Sequence, residues 1–434
     1  MKKFISILLI TIMILSMTSF GFSDNEKGSL VIIGGALDPE NEAIYNKMIE
    51  LAGDKNDIKI AIIPAASSTP SKSGGLYKGD FVDLYNVPKE NVKVFPIAIN
   101  DDSSTEDIDE STWDKNGFNE ELAQEMLNYD LVFFTGGNQL DIVKVLVQED
   151  GTDGPVLESI KEIYDNGGVL AGSSAGAAIM TDPMIGAGSS FGALTQGTTD
   201  TDNYDDPDDN RVFLTKGLGF LENSITDQHF LARGRFGRLI TALIDREINM
   251  GYGIDENTAL VLTGDELEVI GESGVMIIDT AGATYKNYGS RLSANDIRLH
   301  YLETGDKYNK KTQEFTINSD KETTLGYEYY SGNELNTNIF GENSVIPTIT
   351  KDLVDNTEKE SMGLSFDTDG NGVKLIFNQK EDTQGYWGKI DGRESYAATN
   401  VYLDILPIKV QIKEMKPPKE AKEKKIEKTN NKVK

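Results

Sequence analysis

Residues 167–181 read GGVLAGSSAGAAIMT. Val169, Leu170 and Ala171 are a short apolar run. Gly172-Ser173-Ser174-Ala175-Gly176 breaks it, and small residues able to form a helix follow. The spacing predicts a buried strand, a tight turn and a helix, with Ser174 at the centre of Gly-x-Ser-x-Gly. Such a turn pushes the serine out at the top of a sheet, and the helix behind it aims its N-terminus at the same point. The Ala175 amide could then stabilise an oxyanion formed when Ser174 attacks a carbonyl. A Gly/Ser/Ala turn can also serve only to let backbones pack closely.

Upstream, strand-like and helix-like segments alternate. Strands are expected at 30–33, 58–64, 92–97 and 131–134, and helices at 42–51, 76–85, 120–127, 140–147 and 156–164. A Ser/Thr/Pro/Gly loop is expected at 67–75 and an acidic solvated loop at 100–114. Near-continuous apolar strands separated by helices define an α/β fold, a mostly parallel sheet with helices on both faces. Sites in such sheets lie at the carboxyl ends of the strands, where Gly136-Gly137 and Ser174 fall.

Downstream, 188–210 is rich in Gly, Ser, Thr and Asp and reads as a solvated loop. A helix is expected from 239. Residues 252–260 read as one strand, and 267–270 with 275–278 as a strand pair. From 316 the composition shifts to Thr, Asn, Tyr and Gly in alternating segments. This gives a small β-rich appendage at 316–412, leaving 28–315 as the catalytic unit. Asp367-Thr368-Asp369-Gly370-Asn371-Gly372 matches the start of a calcium loop, but Asn378 stands where a bidentate Glu belongs, so a hairpin turn is expected.

The ends are of a different kind. Lys2 and Lys3 precede an apolar run, with small or polar residues at Gly21 and Ser23. Residues 1–23 therefore read as a signal peptide, which predicts a secreted protein with no membrane span after cleavage. Residues 413–434 are lysine-rich with no core pattern, a basic disordered tail.

The chain of 434 residues has no cysteine, two histidines and a formal charge of −29. A cysteine nucleophile and thiolate metal sites are excluded, and so acidic a chain is not a nucleic-acid binder. No metal or cofactor is called for. A Ser-His mechanism must use His229 or His300. Ser174, His229 and Glu256 form a nucleophile, base and orienter series, with Asp255 competing for the last place.

Four motifs, TGGNQ (135–139), AGSSAGA (171–177), DQHFLARGRFGRL (227–239) and GIDENTAL (253–260), resemble cyanophycinase, a serine exopeptidase family related to peptidase E. The end of its catalytic domain resembles LHYLETGDKY (299–308). The resemblance implies a class I glutamine amidotransferase-like fold with a serine at the elbow. It implies catalytic Ser174, His229 and Glu256, and oxyanion donors from Gly137 and Ala175. It places Gln139, Asp227, Gln228, Arg233, Arg235 and Arg238 along the substrate pocket. The expected substrate is cyanophycin, a poly-aspartate with arginine on each β-carboxyl, cleaved to β-Asp-Arg dipeptides. A homodimer is left open. The alternatives are a related peptidase for other aspartyl peptides, or a non-catalytic surface-binding protein using the appendage. An α/β-hydrolase esterase fits less well, because here the acid follows the histidine.

Overall fold

The computed structural model describes residues 27–105, 108–206, 209–411 and 413. The signal-peptide expectation and nearly all of the basic tail lie outside these residues.

Five parallel strands carry the first half of the chain: β1 (Ser29–Ile33), β2 (Ile60–Ile63), β3 (Val92–Val94), β4 (Leu131–Phe134) and β5 (Val169–Ser173). They lie in the order β1-β5-β4-β2-β3, and every neighbouring pair is parallel. Because side chains alternate along a strand, each strand feeds two cores. Leu30 and Ile32 pack with Ile142, Val145, Val156 and Ile160 from two helices on one face. Val31 and Ile33 pack with Ile44, Tyr45 and Met48 of the helix Glu42–Ala52 on the other. Burial on both faces is why these strands read as continuous apolar runs.

Several expectations shift. The helix expected at 76–85 begins earlier, as Pro70–Gly79, because Pro70 sits in its first turn where no amide is needed. It continues as the π-helix Asp80–Leu84. Within the expected acidic loop, Glu110 is buried and its carboxylate accepts from the Ser71 and Asp102 amides. The loop expected at 188–210 contains the helix Ser190–Gln196, capped by Ser189. Two of its aspartates are engaged in ion pairs: Asp209 with Arg211 at 2.6 Å, and Asp200 with Arg246. Residues 252–260 are not one strand. Met250–Ile254 and Thr258–Thr263 belong to different sheets, and so do Glu266–Gly271 and Gly274–Asp279.

The second sheet starts with Ser224–Gln228 and Met250–Ile254, a parallel pair, and continues through Gly274–Asp279, Arg291–Glu303 and Arg393–Lys409. The β-rich C-terminal region is thus an extension of this sheet. Leu299 registers with Val401 and Tyr301 with Ala398. The helix Phe236–Asp245 packs Leu239 and Leu243 into a core that also holds Ile278, Leu299, Val345, Leu403 and Ile405. Residues on both sides of 315 therefore share one sheet and one core. The 367–372 motif closes the hairpin between Glu360–Phe366 and Asn371–Asn378, with the Asn371 amide donating to Asp367 at 2.8 Å.

Candidate active site

The two sheets meet at the end of β5. Ser174 caps the helix Ala175–Ala178 with φ 55° and ψ −105°, a conformation that costs a β-carbon-bearing residue on the order of 1–3 kcal/mol. The surroundings hold it there. A Cβ on Gly172 would stand 2.3 Å from the Gly176 carbonyl oxygen, and one on Gly176 would stand 2.6 Å from that of Phe134. Close packing and a serine held at the turn are therefore the same feature, since only glycines let the helix turn back over the strand so tightly. The Ser174 amide donates to Ile33 at 3.0 Å, tying the turn to β1.

His229 follows Ser224–Gln228, the first strand of the second sheet. Its amide donates to the Gly34 carbonyl at 2.7 Å, which brings the second sheet onto the end of the first. Ser174 Oγ lies 2.7 Å from His229 Nε2, and His229 Nδ1 lies 2.6 Å from Glu256 Oε1. A carboxylate accepting at Nδ1 places the ring proton there, so Nε2 is free to accept from the serine hydroxyl. Burial pushes the imidazole below its ordinary pKa. Arg233 and Arg235 push the same way, and the bond to Glu256 opposes them. A ring kept neutral near pH 7 is available as a general base.

Glu256 sits in the 255–257 turn that carries the chain from the second sheet back to the first. The Asn257 amide donates to Gly35 at 2.8 Å, and the Asn257 side chain accepts from the Asp38 amide and the Asn41 amide group. The competing Asp255 faces elsewhere. It is buried and accepts from the Leu231 and Ala232 amides and from Ser273 Oγ, so it shapes the loop after the histidine. His300 is a core residue. Its Nδ1 accepts from the Asn400 amide, its ring lies 4.6 Å from Phe315, and burial pushes it down to about 3.

Gly137 follows β4 and Ala175 follows Ser174, at adjacent strand ends. Among the described residues, neither amide donates in the turn and loop hydrogen bonds.

The expected pocket residues divide. Gln139 is buried and donates to the Ile185 and Gly186 carbonyls at 3.1 and 2.6 Å, which fixes it to the neighbouring loop. Asp227 is fully buried and takes a two-pronged ion pair from Arg238, whose third nitrogen donates to the Gly188 carbonyl. Neither side chain of that pair reaches toward a substrate with a free fork. Arg235 is half-buried, donates to the Gln228 carbonyl, and is pushed down to about 9 by burial and by Arg238. Arg233 is exposed on the same turn. The Gln228 side-chain oxygen is buried without a hydrogen-bond partner among the described residues. Two contributors escaped sequence reasoning. Ser190, from the expected loop, accepts from the Gly237 and Arg238 amides and donates to the Gly234 carbonyl, anchoring the arginine turn. Gly35 lies against the imidazole. The Gly34-Gly35 pair is visible after the first strand, but nothing in the sequence says what approaches it.

A serine, histidine and acidic side chain in hydrogen-bonded sequence, on an elbow at the carboxyl ends of parallel strands, are the arrangement of a serine hydrolase on an α/β architecture. The sequence model of peptidase family S51 matches residues 30–270, and the chain belongs to that family. A cyanophycinase from Geminocystis herdmanii is 34% identical over 296 residues, covering 66% of this chain and 96% of the relative. A cyanophycinase from Synechococcus elongatus is 31% identical over 296 residues, covering 66% of this chain and 81% of the relative. The crystal structure of a peptidase from an acI-B1 actinobacterium superposes with a TM-score of 0.45 at 20% identity, covering 66% of this chain and 99% of that one.

Proposed function

We propose that this peptidase is an exported exopeptidase that hydrolyses cyanophycin to β-Asp-Arg dipeptides through an acyl-enzyme on Ser174. The observation that carries the reading is the continuous path from Ser174 Oγ through His229 to Glu256, with steps of 2.7 and 2.6 Å. In the first step Ser174 Oγ attacks the scissile carbonyl and its proton passes to His229 Nε2. Glu256 holds the imidazole and stabilises its charged form. The Gly137 and Ala175 amides stabilise the oxyanion. The imidazolium then protonates the leaving amine, and water, activated by the same histidine, releases the acyl group. Arg233 and Arg235 supply positive charge for an aspartyl carboxylate. The names of the relatives support cyanophycin as the substrate.

Export rests on the lysines and apolar run of the first 23 residues. No helix among the described residues is long and apolar enough to cross a membrane. Digesting cyanophycin with the purified protein and weighing the products tests the activity. Release of β-Asp-Arg is expected, whereas cleavage of α-aspartyl dipeptides alone would transfer the site to another aspartyl peptide. N-terminal sequencing of protein recovered outside the cell tests export, with a mature start near Asp24 expected.

A further inference from the structure

The C-terminal extension carries a groove of about 620 Å³ beside the edge strand Lys321–Thr323, outside the residues that match the peptidase family. Three of its walls are aromatic. Tyr327 and Tyr329 are 81% and 83% exposed, and Trp387 projects from the adjacent strand, in register with Glu322. Large aromatic rings left this open in one place lose the burial that ordinarily stabilises them, and their faces remain available.

The floor supplies the second observation. Asp355 lines the groove and is only 5% exposed. Its carboxylate accepts from the Tyr329 amide at 2.9 Å and from the Tyr396 hydroxyl at 3.0 Å, both neutral donors. Among the described residues it has no cationic partner, and neither does Glu322 on the rim. A buried carboxylate is ordinarily paired with a cation, because neutral donors compensate only part of its lost hydration. A carboxylate beneath aromatic faces suits an organic cation, since both the charge and the ring quadrupoles attract it. The protein already uses this chemistry next door, where Lys351 Nζ stands 6.0 Å from the centroid of the Tyr330 ring and Tyr330 meets Tyr329 edge to face.

We infer that this groove binds guanidinium side chains and so holds an arginine-bearing polymer to the enzyme at a point separate from the serine. The polymer half of this inference rests on the function proposed above; the cation half does not. Guanidinium fits better than ammonium because its planar, weakly hydrated face stacks on tyrosine and tryptophan while its edge donates to a carboxylate.

Trp113 and Trp387 are the two tryptophans, so a Trp113→Phe chain reports the groove by fluorescence. Titration with millimolar Nα-acetyl-arginine amide should change the Trp387 emission, and Nα-acetyl-citrulline amide, isosteric and neutral, should not. Tyr327→Ala/Tyr329→Ala should abolish the response with the circular dichroism spectrum unchanged. No response, or an equal response to both amides, overturns the cation site. In a Ser174→Ala background, which blocks turnover, the same tyrosine pair should weaken retention on insoluble cyanophycin about tenfold. Undiminished retention overturns the polymer role. A chain that shows the arginine response but never cleaves cyanophycin keeps the groove and loses the proposed substrate, so the two failures are distinguishable.

Discussion

The imidazole of His229 lies against Gly35, where a Cβ would stand 2.5 Å from Nε2 and 2.4 Å from Cε1. The first glycine pair of the chain therefore sets the position of an imidazole nearly two hundred residues later. Gly35 also has φ of 110°, which an alanine adopts only with strain. Gly35→Ala should lower turnover by about 10²-fold through displacement of the base, with a smaller change in KM. Wild-type kcat in that variant would show that the ring has room to move.

Ser174 combines a strained backbone with the hydroxyl proposed to attack the substrate. Ser174→Ala should abolish turnover and leave the strain. Ser174→Gly should also abolish turnover but raise stability by about 1 kcal/mol, because glycine adopts positive φ freely. Denaturant melts of the two variants check this, and equal midpoints would place the strain elsewhere.

The acidic neighbours 255 and 256 should separate by phenotype. Glu256→Gln should retain the fold and lose roughly 10²–10⁴-fold in turnover, since the histidine loses its charge partner. Asp255→Asn should act on stability, because its carboxylate accepts two backbone amides and the Ser273 hydroxyl. Likewise Arg238→Ala removes the two-pronged partner of the fully buried Asp227, leaving it only Arg235 at 3.8 Å and the Gln228 amide, and should destabilise by about 3 kcal/mol. Arg233→Ala, at an exposed position, should instead raise KM. Kinetics beside thermal melts distinguish the two pairs.

The pH profile should follow His229. The base must be neutral, so activity rises with pH through the histidine pKa, which burial holds below its ordinary value. Arg233 and Arg235 lower it further and Glu256 raises it. Arg233→Ala should therefore move the acid limb to higher pH, and Glu256→Gln should move it to lower pH while reducing the plateau. Shifts of the opposite sign in kcat/KM profiles would refute this electrostatic account.

His300 makes a separate prediction for stability. Its pKa is about 3 in the fold, below the unfolded value near 6.5. The unfolded chain then binds the extra proton, so stability is present above about pH 6.5 and is lost as pH falls toward 3. His300→Gln should flatten that acid loss in urea melts taken from pH 7 to 4. Truncation after 315 removes Arg393–Lys409 from the Arg291–Glu303 strand and strips Leu403 and Ile405 from the shared core. It should abolish soluble folding, and a folded, active fragment would show that 28–315 stands alone.

Composition and residue spacing already settle the local pieces. The β1, β4 and β5 strands are apolar on both faces, so their burial between helices is written into composition. The Gly-x-Ser-x-Gly turn is legible because only glycines permit that close approach, and two histidines narrow the base to two candidates. Tertiary structure decided what pattern could not. Residues 252–260 look like one strand because both halves are apolar, yet the 255–257 turn carries the chain between sheets, and this crossing puts Glu256 rather than Asp255 against the imidazole. Arg238 reads like a substrate clamp until Asp227 is seen beside it, since charge in a sequence carries no record of its partner. The change in composition at 316 looks like a boundary, but strand pairing is non-local. The 393–409 strand registers with 291–303 through backbone hydrogen bonds that any alternating sequence can offer, so only the folded chain selects which edge it completes.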